Sequence, residues 1–128
     1  MMHGGVVFRR SEGSLAFLPA SIAMKVMPIP SIARMPGGPP ELRGVALVDG
    51  DMIAIVDAGT LTSDAMLVCS VLGEQVGLVG IEVVATGKFE AVDAGDVKIG
   101  PEIAKAFDVA TLIAKVREGR WGVTLSEP

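Results

Sequence analysis

The stretch PGGPPELRGVALVDGDMIAIVD, residues 36–57, decides the fold. It enters through Pro36, Gly37, Gly38, Pro39 and Pro40, then runs apolar, breaks at Asp49-Gly50-Asp51, and runs apolar again. Alternating and β-branched residues on both sides of a short Asp-Gly break predict two strands joined by a tight turn. The stretch holds no histidine, cysteine or hydroxyl nucleophile. A well-specified hairpin without reactive groups reads as part of a scaffold.

The same pattern recurs outward along the chain. VVFRR-SEGS-LAFL predicts a hairpin over residues 6–18, MLVCSV-LGEQ-VGLVGIEVV one over 66–84, and TLIAKV-REGR-WGVTL one over 111–125. Gly13, Gly50, Gly73 and Gly119 supply residues that tolerate positive φ at the four turns. MIAIV and MLVCSV are nearly continuous apolar runs, as expected of strands covered on both faces. Two linkers lie between paired hairpins, and each is expected to hold a short helix, near residues 20–27 and 101–107. In the second, Pro101 suits a first helical position. In the first, Pro28, Pro30, Pro36, Pro39 and Pro40 forbid anything longer. The order hairpin, linker, hairpin, twice over, predicts an all-β domain of two small barrel-like lobes with short helical linkers.

A chain of 128 residues makes one domain. Half of it is hydrophobic and the mean hydropathy is +0.54. Gly, Pro or a charge interrupts every run that approaches the length of a membrane span, so direct membrane insertion is not expected. The opening MMHGGVVFRRSEG lacks the order of a signal peptide, and a cytoplasmic location is expected. A small domain this apolar is expected to leave apolar surface for a partner, and open strand edges would favour a homo-oligomer. The net charge of −4 opposes nucleic-acid binding. Cys69 is the only cysteine, so no intrachain disulfide can form.

Chemistry finds little support. His3 is the only histidine, and its terminal position predicts disorder and no catalytic part. Cys69 alternates within an apolar strand and is expected to be buried and inert. Asp49, Asp51 and Asp57 lack the further oxygens of a calcium loop, and turn formation accounts for the first two. Gly73, Gly77 and Gly80 do not form GxGxxG and lie within a hairpin. An interaction module is therefore expected in place of an enzyme, with no cofactor and no metal. A small-ligand-binding β-barrel is the rival from another class; it would need an enclosed cavity with convergent polar groups.

The residues resemble the CheW-like chemotaxis coupling proteins. That family shows a Pro-rich entry, then G-V-x-N-L-R-G, then a strand ending V-I-D-L; here PGGPPELR, GVALVDG and DMIAIVDA stand in the same order. MLVCSVLGEQVGLVGIEVV resembles the next strand, turn and V-G-L-V-V-D-x-V of the family, and LIAKVREGRWGVTL is similar to its last hairpin. The resemblance runs from about Val6 to Leu125. It implies a single domain over 1–128, with two SH3-like barrel lobes over about 1–57 and 66–128 and exchange of strands between them allowed. It implies a non-catalytic adaptor for the cytoplasmic tip of methyl-accepting receptors and the regulatory domain of a histidine kinase. Groove residues carried over by motif are Ala23, Lys25, Val26, Gly44, Val45, Asp49, Gly77 and Val83. Asp49 stands where the family usually has Arg, and Lys25 where it often has Glu. The reversal of both signs predicts that the two face each other as a charge-swapped pair. The lost Arg and the short segment 58–65 predict weak or absent kinase binding; the alternative is an ordinary coupler that holds both partners. Shortened members of this kind occur in Frz-type gliding-motility systems.

Overall fold

The structure is a computed structural model and describes residues 1–34 and 37–116. Its strands are β1 (Met2–Arg9), β2 (Leu15–Pro19), β3 (Ala23–Pro28), β4 (Leu42–Val48), β5 (Asp51–Asp57), β6 (Ala65–Val71), β7 (Glu74–Val79), β8 (Glu82–Ala91), β9 (Val97–Ile99) and β10 (Glu102–Ala106). Residues 109–116 form a helix, α1. The strands make a closed barrel, β1-β2-β10-β9-β8, and a five-stranded sheet, β3-β6-β7-β5-β4.

The first three hairpins stand where alternation and turn chemistry put them. Leu47 pairs with Met52 and Val48 with Asp51, which leaves Asp49 and Gly50 as a two-residue turn. Both have positive φ, 51° and 87°, as this kind of hairpin turn requires. The lobes are not consecutive blocks meeting near residue 60. β1 and β2 belong with β8 to β10, because ten-residue β8 runs antiparallel along β1 from Met2 to Arg9. β3 to β7 build the other lobe, so the strands are exchanged along the chain.

Period-two alternation then sorts the side chains into three layers. Val7, Leu15, Phe17, Val97 and Ala104 fill the first barrel. Ala46, Val48, Ile53, Ile55, Met66, Val68 and Val79 fill the second lobe. The intervening positions, among them Val6, Phe8, Ala16, Leu18, Val56, Leu67, Cys69 and Leu78, pack between the lobes. A central strand thus buries both faces: in β6, Met66 and Val68 point one way, Leu67 and Cys69 the other. Three cores in one small chain account for much of the high hydropathy.

Several expectations fail. Residues 20–27 are not helical; β3 occupies most of them and pairs antiparallel with β6 from Ala23 to Pro28. Residues 101–107 are not helical either. EIAKA has good helix formers, but five residues are too few to propagate a helix, and β9 and β2 both offer β10 a free edge. VGLVGIEVV is no single strand: Gly80, at φ 80°, turns the chain from β7 into β8. His3 is ordered within β1, opposite Phe89.

The fourth hairpin also fails in its described part. TLIAKV belongs to α1, and residues 117–128, which include the rest of that prediction, lie outside the described residues. α1 follows a clear signal. Val109, Leu112, Ile113 and Val116 recur at helical spacing and pack into the inter-lobe core. Asp108 caps the helix: its Oδ1 accepts the Thr111 N–H at 3.0 Å, and its Oδ2 accepts the Thr111 hydroxyl at 2.5 Å. These bonds, the hydroxyl's first, hold the Asp108 carboxyl below the ordinary carboxylate value.

Candidate functional site

The second sheet ends in two edge strands, β3 and β4. The chain leaving β3 curls back on β4. Ala33 N–H donates to Val45 O at 2.8 Å, and Val45 N–H donates to Ala33 O at 2.9 Å. Gly44 permits this approach, since a Cβ there would collide with the Ala33 carbonyl oxygen and fall 2.8 Å from Ile32 Cγ2. Nearer the hairpin tip, Lys25 Nζ donates to Asp49 Oδ2. The pair expected from the reversed signs does form, and it links edge strand β3 to the turn that ends the other edge strand, β4. With the Ala33–Val45 bridge it rolls the sheet toward a closed barrel, so these edges are less open than a self-associating sheet would need.

Apolar side chains flank this seam in the open. Met24 and Val26 lie on the β3 side, 55% and 39% exposed, and the cross-strand pair Leu47 and Met52 lies on the other, each 63% exposed. Leu47 and Met52 alternate with Ala46, Val48 and Ile53, which fill the lobe, so they point out of it. Apolar side chains exposed on two elements that a polar pair links have the make-up of a docking surface.

The eight carried-over residues divide. Lys25, Val26 and Asp49 are exposed at the seam, and Val45 is half-buried beside it. Ala23 is buried in the inter-lobe core. Gly44 and Gly77 are buried as well, and both serve the chain's own packing. A Cβ on Gly77 would strike Met66 Sδ and lie 2.9 Å from Ile55 Cδ1. Val83 is half-buried against the inter-lobe core. The structure thus pairs Lys25 with Asp49, leaves Val26 exposed on the same strand as Lys25, and places Ala23, Gly44 and Gly77 within the chain's own packing. Met24, Leu47 and Met52 were missed, although the two-residue turn at Asp49-Gly50 already sets Leu47 opposite Met52 on the face away from Ala46 and Ile53.

The remaining polar groups are structural. Arg43 grips Asp57 with two bonds, Nη2 to Oδ1 at 2.5 Å and Nε to Oδ2 at 3.4 Å. With Asp49 held by Lys25 and Asp57 by Arg43, the three aspartates do not converge, and no metal-holding cluster of His, Cys, Asp and Glu occurs among the described residues. The short segment after β5 is pinned between the lobes: the Thr60 N–H donates to Ser11 Oγ at 2.5 Å and the Leu61 N–H to Gly80 O at 3.0 Å. Cys69 is fully buried, and loss of hydration pushes its thiol up to about 12. Arg10 stacks 5.2 Å from the centre of the Phe107 ring, which meets Phe8 edge-on. No helix among the described residues is long and apolar enough to cross a membrane.

Paired five-stranded β lobes, joined by a shared apolar core and strand exchange, define the fold class. Among solved structures with this fold is the scaffolding protein TtCheW from Thermoanaerobacter tengcongensis, at a TM-score of 0.65 and 16% identity, over 85% of this chain and 86% of that one. At that identity the likeness is one of fold. No family model matches the sequence, and no curated protein matches it.

Proposed function

We propose that the chain is a non-catalytic chemosensory adaptor, which binds the cytoplasmic signalling tip of methyl-accepting receptors and modulates signalling to a histidine kinase that it binds weakly or not at all. The observation that carries this reading is the exposure of Met24 and Val26 on β3 and of Leu47 and Met52 on the β4–β5 hairpin, two elements that the Lys25–Asp49 pair links. An amphipathic helix laid along them would cover apolar side chains that the fold leaves in water, with the ion pair as a polar register mark. The fold shared with a chemotaxis scaffold supports the reading. Cys69, the chain's single cysteine, is buried and so offers a partner no thiol. The interiors of both lobes are filled by side chains, which disfavours a ligand-binding barrel. The role belongs at the cytoplasmic face of a receptor array, in a gliding-motility system or another.

The experiment is a pair of titrations with the purified full chain. One uses the cytoplasmic fragment of a receptor from the same cell, the other the regulatory domain of the kinase. Saturable binding of the receptor fragment, lost on Val26→Asp and on Leu47→Asp, is expected. Tight binding of the kinase domain would favour an ordinary coupling protein; no binding of either would refute the adaptor reading.

A further inference from the structure

The two hairpin tips of the second lobe lie at one end, because β5 and β7 run parallel, with Ala54 opposite Val76. Between them is a hollow of about 600 Å³, lined by Val45, Asp51, Met52, Ala54 and Glu74 among others. Val45, Met52 and Ala54 give it an apolar part, and Asp51, Glu74 and Gln75 make the larger part of its lining polar. Asp51 is exposed, and its side chain has no hydrogen bond or ion pair among the described residues. Next to Gly73, on the second tip, stands Leu72. Its φ is +54° and its side chain is 94% exposed. A leucine gains nothing from full hydration, and its branched side chain is disfavoured at positive φ, where glycine or asparagine would serve the turn better. Two unfavourable features at one residue, with no compensation among the described residues, point to a contact beyond them.

We propose that this end of the lobe receives an arginine from the partner's helical segment: its aliphatic stem lies on Val45, Met52 and Ala54, its guanidinium meets Asp51, and Leu72 covers an apolar residue beside it. Arginine combines a long apolar stem with a planar charged head, which is the combination this hollow offers to meet. The committed occupant is a basic, amphipathic protein segment. A second copy of this chain in a symmetric pairing is disfavoured, since each copy carries a net charge of −4 and would bring the same acidic end to face its partner. The inference rests on the receptor-adaptor reading and adds to it which feature of the receptor tip is recognised.

The test titrates the receptor cytoplasmic fragment against the full chain at several salt concentrations. Asp51→Asn is expected to weaken binding roughly tenfold and to flatten its salt dependence. Leu72→Asn, which suits the turn, is expected to weaken binding without changing the salt dependence. Asp51→Lys should weaken it further, and exchange of one arginine of the receptor tip for glutamate should restore it. If the fragment binds and depends on Val26 and Leu47, but neither Asp51 nor Leu72 matters, this inference is overturned and the adaptor reading stands. If the wild-type chain binds no receptor fragment, both fall.

Discussion

Leu72 is where local conformation and solvent exposure disagree most. Single residues at positive φ are ordinary in hairpin turns when they are Gly, Asn or Asp, and Asp49 shows the rule at the neighbouring tip. Leu72→Asn should therefore raise stability, by about 0.5–1 kcal/mol, because asparagine tolerates the left-handed region and no buried contact is lost. Urea denaturation checks this, and an unchanged or lowered midpoint would mean that Leu72 is not strained. Cys69 is the opposite case, a residue wholly satisfied by its surroundings. Its thiol has an ordinary value of 9.0 and is pushed up to about 12 by burial. The folded state therefore holds the proton that the unfolded chain gives up. The stabilising contribution is complete below pH 9.0 and is lost as pH rises toward 12. An alkylating reagent should react with Cys69 only as fast as the protein opens, and fast reaction at neutral pH under native conditions would contradict the burial.

Elements were legible where a local rule and the global packing agree. Period-two runs around Gly-containing turns gave β1–β2, β4–β5 and β6–β7, since each hairpin is specified by its own residues. β3 and β10 were not legible, because what makes them strands is the free edge of β6 in one case and of β9 and β2 in the other. α1 was readable and was misread: the β-branched residues of TLIAKV suggest a strand, yet Asp108 as a cap and the apolar spacing from Val109 to Val116 mark a helix. Of the candidate site, the approach of Lys25 to Asp49 was legible from paired charges, whereas the close packing at Gly44 and Gly77 was not, because it depends on Ala33 in one case and on Met66 and Ile55 in the other. The Lys25–Asp49 link is exposed at both ends, so its coupling free energy should be small, about 0–1 kcal/mol. A double-mutant cycle with Lys25→Met and Asp49→Asn should return a value in that range, decreasing with salt. A coupling energy of several kcal/mol would mean that the seam is held mainly by this pair and not by the Ala33–Val45 bridge.

At the scale of the whole molecule, strand exchange and the inter-lobe core make the two lobes one folding unit. Val6 and Phe8 from β1, Leu67 and Cys69 from β6, and Ile113 from α1 all share one apolar layer. That shared layer ties the lobes together. After three cores are filled, exposed apolar side chains remain in both lobes, Val84 and Ile103 in the first and Met24, Val26, Leu47, Met52 and Leu72 in the second, and the account stands or falls on those of the second. The most direct measurement is calorimetric titration of the receptor cytoplasmic fragment into the full chain and into its Leu47→Asp variant, with the fold of the variant verified by circular dichroism. The account predicts saturable binding to the wild-type chain, with the negative heat-capacity change of apolar burial, and loss of that binding in the folded variant. Equal binding by both proteins, or none by the wild-type chain, would contradict it.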